Sequence, residues 1–165
     1  TRPVFLTNEV VYEFLDPSCA ESPTDELQKI DGAYGDREFS FLVYALSDTE
    51  KIDLIILNDL GSEIARVSLS GGVVTASGLV KSAGLPAEYV LADFQLAFYR
   101  LGCLRAALAP KGVRVEETPA SAPVRERTLL DSTGVISRIT YGAESLTLVN
   151  ELRGYRYDIR WGEAL

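Results

Sequence analysis

From residue 37 onward, apolar and polar positions alternate with period two in short runs separated by turn residues, a pattern that predicts antiparallel strands whose two faces meet different surroundings. In Arg37–Ser47, Phe39, Phe41, Val43 and Ala45 fall on one side and Leu42, Tyr44 and Leu46 on the other, so both faces are expected to be covered. Ile52–Leu57 closes in Asn58-Asp59-Leu60-Gly61, a hairpin turn, and returns through Ile64–Ser70; Gly71-Gly72 then leads into Val73–Ser77. Later runs are Val113–Glu117, Arg125–Leu130, Val135–Tyr141, Leu146–Asn150 and Tyr155–Trp161. The last sets Tyr155, Tyr157, Ile159 and Trp161 against Arg156, Asp158 and Arg160. Before residue 37, Glu9–Phe14 reads as a strand, Asp16–Asp25 as a polar loop, and Leu27–Ile30 as the opening of a strand running toward Gly32–Gly35.

The period changes after Gly84. Pro86 suits a first helical turn, and Val90, Leu91, Phe94, Ala97, Phe98 and Leu101 form one apolar stripe, with Glu88, Asp93 and Arg100 on or beside the polar side. Leu96 and Tyr99 widen the apolar surface. A second short helix is expected from Leu101 or Gly102 to Leu108, stopped by Pro110 and Gly112. The fold class is therefore mainly β with a helical insertion (α+β): a single domain over residues 1–165, with residues 86–108 as a helical cap and residues 1–26 as an N-terminal strand and loop. Nine to eleven antiparallel strands accumulate twist, so the sheet is expected to curl and the helices to fill its open side.

Composition narrows the chemistry. Of 165 residues, 47% are hydrophobic and 24% charged, as in an ordinary globular domain. The net charge of −8 offers no cationic surface for a polyphosphate backbone, so nucleic-acid binding is not expected. Nine of the twelve arginines lie beyond residue 99, an asymmetry best explained by solvated strand faces. With no histidine, Ser–His and Cys–His catalysis and histidine metal ligation are excluded. Methionine is absent even from position 1, so the natural N-terminus and any targeting segment are expected to have been removed.

Cys19 and Cys103 stand 84 residues apart without metal-ligand spacing, so no metal and no cofactor is expected. Two separate thiols, Cys103 buried on a helix, is the favoured reading. In an oxidising compartment they would form one disulfide worth on the order of 4 kcal/mol. Cys19 is not a lipid-attachment site, since Leu15-Asp16-Pro17-Ser18 carries a charge and a proline where an apolar segment is required.

The order of segments resembles the uncharacterised bacterial outer-membrane lipoproteins of aryl-polyene and other fatty-acid-like biosynthetic clusters, which are similar in fold to the carriers LolA and LolB. The resemblance covers roughly residues 25–161. It is carried by Leu54-Ile55-Ile56-Leu57-Asn58-Asp59-Leu60-Gly61, by the helical run Leu85–Tyr99, by Leu104–Leu108, Arg127–Leu130, Ile139–Tyr141 and Tyr155–Ile159. It implies a half-open β-barrel capped by helices, an N-terminal lipid anchor in the uncut precursor, and a periplasm-facing position at the outer membrane. It brings no catalytic signature.

The expected function is accordingly non-catalytic: binding or transfer of a hydrophobic lipid-like molecule, whether an acyl chain, an aryl-polyene conjugate or lipoprotein acyl groups. The alternative is an assembly factor with the same fold and a filled core. Candidate lipid-binding residues are Phe39, Phe41, Leu54, Ile56, Phe94, Phe98 and Trp161; burying hydrocarbon is worth roughly 0.8 kcal/mol per methylene, so specific polar recognition is unnecessary. Asp93 and Arg127 match polar positions of the resemblance and are expected to pair, fixing the helix to the sheet. The Tyr155/Tyr157/Trp161 ladder reads as cross-strand packing. No enzyme is expected: Glu116 and Glu117 are neighbours on a strand and so point to opposite faces.

Overall fold

The computed structural model describes residues 2–80 and 84–165. Its main element is an eleven-stranded, wholly antiparallel sheet. The chain enters at the centre with β3 (Thr24–Tyr34) and meanders outward through β4 (Arg37–Ser47), β5 (Lys51–Leu57), β6 (Glu63–Ser70), β7 (Val73–Val80) and the two-residue β8 (Leu85–Pro86). Helices α1 (Ala87–Phe98) and α2 (Leu101–Leu108) carry it to the opposite edge. There β9 (Arg114–Glu117), β10 (Arg125–Asp131), β11 (Gly134–Tyr141), β12 (Ser145–Asn150) and β13 (Tyr155–Trp161) meander back until β13 pairs with β3. Two short strands, β1 (Val4–Phe5) and β2 (Val11–Tyr12), form a separate hairpin. Among the described residues no helix is long and apolar enough to cross a membrane.

The alternation read from the sequence is the alternation of burial. Phe39, Phe41, Val43 and Ala45 of β4, Ile52, Leu54 and Ile56 of β5, and Leu146 and Leu148 of β12 all face one continuous core. The other face is not covered as expected: Leu42 and Leu46 are half-exposed and Tyr44 exposed. That face is held instead by cross-strand polar pairs such as Arg160–Asp31, Arg66–Asp53 and Thr147–Asp158, which leave their charges in water.

α1 lies against the core face and is touched from both wings of the sheet. It packs on β6 and β7 on one side, while Arg127 of β10 and Tyr141 of β11 donate hydrogen bonds to the carbonyls of Leu96 and Ala97 on the other. β7 and β10 are eight strand spacings apart, about 38 Å in a flat sheet, whereas a 12-residue helix is about 18 Å long. The sheet therefore bends around α1. Among the described residues its edges do not meet: β8 pairs with β7 and β9 with β10, and neither pairs with the other. The short β9 edge is covered by α2, whose Arg105 Nε donates to the Val115 carbonyl at 2.8 Å.

The opposite side of α1 is not solvated either. Residues 2–22 strap across it, and Val4, Leu6 and Tyr12 are buried there. Glu88, expected on a polar side, is 5% exposed and accepts the Arg2 N–H. The expected strand over Glu9–Phe14 is reduced to β2, because Glu9 and Val10 donate their N–H groups to the Thr7 hydroxyl in a turn, and the chain on either side of Phe14 is held to α1 rather than to the sheet. Gln95 accepts from the Tyr12 hydroxyl and the Leu15 N–H and donates back to the Leu15 carbonyl.

Candidate functional site

Three separate spaces with shared wall residues run along the seam between α1 and the sheet. The first is an open groove of about 610 Å³ at the start of the helix, walled by Tyr34, Phe39, Tyr89, Tyr155 and Tyr157 with Leu85 and Leu152 at its margins. The second is a cavity of about 20 Å³ beneath the helix, between Phe41, Leu54, Phe94, Phe98 and Ile159. The third is a groove of about 490 Å³ at the helix C-terminus, bordered by Phe98, Trp161, Tyr141 and Arg125. Tyr157 lines the first and second, Phe98 the second and third, so the spaces are continuous in their walls. The middle one has room for about one water molecule.

The aromatic wall of the first groove arises from a gap in the side-chain ladder. Gly32 of β3 stands between Tyr157 of β13 and Phe39 of β4 in register. With no side chain at Gly32, the two rings close over the strand edge-to-face with centroids 5.8 Å apart. A Cβ there would overlap the Phe39 ring and lie 2.8 Å from the Arg156 carbonyl oxygen. Tyr155 stacks obliquely on Tyr157 at 5.2 Å, and Phe39 on Phe41 at 6.0 Å, so one aromatic series leads from the open groove to the cavity.

A carboxylate sits behind this wall. Asp93 of α1 borders the cavity, with the Tyr155 hydroxyl 3.5 Å from both of its oxygens. Burial pushes its pKa up to about 7, against the opposing pull of hydrogen bonds from Tyr157 and Tyr155. Burial likewise holds the phenols of Tyr12, Tyr155 and Tyr157 well above their ordinary value. Asp93 does not pair with Arg127. One helical turn separates Asp93, which faces β13, from the Leu96 carbonyl that Arg127 reaches.

Arg127 anchors the other end. Fully buried, it donates to Leu96 O at 2.6 Å, to Glu117 at 3.1 Å and to Glu21 at 3.1 Å. Arg125 binds the same two glutamates and lies over the Tyr141 ring at 4.1 Å. Burial works to raise the Glu117 carboxyl, but the two guanidiniums outweigh it and hold it below its usual range. Glu116 points the other way and pairs with Arg114 on the surface, as strand geometry requires. Burial raises Tyr141 to about 12, eased by the charges of Arg127 and Arg125.

Cys19 and Cys103 form a disulfide with Cα atoms 6.1 Å apart, which corrects the reading of two separate thiols. Their approach depends on the pairing of Ala20 with Tyr99 and on the Arg100 N–H to Cys19 O bond, contacts between segments about 80 residues apart. The bridge joins the N-terminal strap to α2.

Of the sequence candidates, Phe41, Leu54 and Phe94 surround the cavity, Phe39 walls the first groove, Phe98 and Trp161 meet edge-to-face at the third, and Ile56 is buried in the core away from all three. Sequence reasoning missed Tyr34 at the end of β3, Tyr89 on the flank of α1, and Leu152 and Arg153 in the turn before β13. The tyrosine alternation in β13 was the available signal.

A profile of the family described as protein of unknown function DUF3261 matches residues 25–161. The chain belongs to that family. No curated protein sequence matches it.

Proposed function

We propose that this family member is a non-catalytic, periplasm-facing module that binds or transfers a hydrophobic lipid-like molecule at the outer membrane, anchored there by lipid in its precursor. In this reading the bent, unclosed sheet is a half-open β-barrel of the LolA/LolB kind and α1 is its lid. The supporting observation is the continuous aromatic and aliphatic seam along α1, which begins in an open groove of about 610 Å³, within the usual size of small-molecule sites. The disulfide agrees with an oxidising compartment such as the periplasm. The cargo is an acyl chain, an aryl-polyene conjugate or the acyl groups of a lipoprotein.

Displacement of a fluorescent fatty acid, together with native mass spectrometry of protein purified from its bacterial envelope, tests the proposal. One bound lipid-like molecule per chain, displaced by unlabelled hydrocarbon, is the expected result. The 20 Å³ interior favours a second reading, an assembly factor with a filled core. Repeated absence of bound lipid and no displacement by any chain would select that one.

A further inference from the structure

Arg153 differs from its neighbours in what its charge meets. Among the described residues it is the single charged side chain lining the first groove, which otherwise presents aromatic rings and aliphatic surface. Arg125, Arg127, Arg138, Arg156 and Arg160 all pair with carboxylates, whereas Arg153 pairs with none among the described residues. Its Nη2 donates to the Phe5 carbonyl at 3.1 Å, and its Nε is buried without an acceptor. The tight turn between β12 and β13 fixes its backbone: buried Asn150 accepts the Arg153 N–H at 2.8 Å through its side chain and the Gly154 N–H through its carbonyl. In a chain of net charge −8, an uncompensated guanidinium at the rim of an apolar groove selects for one sign of partner.

We infer that Arg153 is the head-group determinant of the first groove, which takes an amphiphile with one carboxylate head at Arg153 and its hydrocarbon against Phe39, Tyr89, Tyr155 and Tyr157. This rests on the lipid-binding reading and adds to it the polarity and orientation of the ligand. A guanidinium attracts a carboxylate through its charge and its N–H donors; Nε is enclosed and Nη2 is engaged by the Phe5 carbonyl, so the head group meets the remaining Nη1 end. The tail then points along the aromatic series toward the inner cavity. Phe5, Tyr34 and Leu152, all exposed large apolar residues, stand around this end of the molecule and would shield the upper chain.

The test compares dodecanoate, 1-dodecanol and dodecyltrimethylammonium as competitors of a fluorescent fatty acid at pH 8, using the whole chain. Dodecanoate should bind at least tenfold more tightly than the alcohol, and the cation more weakly than either. Arg153→Gln should remove the preference for the acid over the alcohol; Arg153→Lys should retain part of it. Equal affinity for acid and alcohol in the unaltered protein, which needs no variant, overturns the inference and leaves lipid binding standing. So does an acid preference that survives Arg153→Gln. Failure of all three competitors and of the probe to bind overturns both.

Discussion

Asp93 shows how a single polar residue on an apolar helix acquires its properties from elements distant in sequence. Tyrosines 155 and 157 and the underside of α1 shield its carboxyl from most of the solvent, so the protonated form is favoured until about pH 7. An acid whose pKa is higher folded than unfolded stabilises the fold fully below its unfolded value, near 4, and that contribution is lost as pH rises through 7. Asp93→Asn should therefore raise stability by up to about 4 kcal/mol at pH 8 and by only about 1.5 kcal/mol at pH 5. Urea unfolding of both proteins at the two pH values checks this; equal differences at both would show that Asp93 is not desolvated. The pairing of Asp93 with Arg127 inferred from sequence fails for a local reason. A helical turn turns each polar position toward a different strand, and the pattern along the chain does not say which strand comes to lie opposite.

At the scale of elements, α1 depends on non-local partners at its C-terminus. The last four carbonyls of a helix lack intrahelical donors. Here Gln95 O is met by the Tyr99 N–H, Leu96 O by Arg127, Ala97 O by the Tyr141 hydroxyl, and Phe98 O by the Glu21 N–H. The apolar stripe continues to Leu101, so the sequence carries the first helix to Leu101 and starts the second at Leu101 or Gly102. The chain instead turns extended at Tyr99 because Ala20 pairs with it there. Arg127→Leu should destabilise by about 3 kcal/mol or more, since it leaves the Leu96 carbonyl without its donor and leaves Glu21 and Glu117 to Arg125 alone in partly dry surroundings. Arg127→Lys should recover only part of the loss, because an ammonium cannot serve three acceptors set in a fork. Chemical denaturation of both variants, and of each combined with Glu117→Gln, measures the coupling. An additive double variant would show that the Arg127–Glu117 bond contributes nothing.

At the scale of the molecule, the disulfide ties a strap outside the matched family region to the helical crossing. Closing an 84-residue loop restricts the unfolded chain by about 4 kcal/mol, so reduction should lower the melting temperature by roughly 8–16 °C in a chain of this size. Calorimetry with and without reductant checks it, and an unchanged transition would mean that the reduced unfolded chain is already compact. The chain by itself determined the strands from residue 37 onward and which of their residues share a face, the position of the helical crossing and the mainly β class, because these follow from period-two and period-3.6 patterns and from turn residues, all local in origin. It also placed Phe41, Leu54 and Phe94 among the apolar residues that line the cavity. Tertiary structure alone decided which sheet face is covered, where α1 ends, that Cys19 meets Cys103, which partners Asp93 and Arg127 take, and that Tyr34, Tyr89 and Arg153 share one groove. Each of those rests on segments brought together by the bend of the sheet around α1, and a bend summed over eleven strands leaves no mark in any short window of sequence.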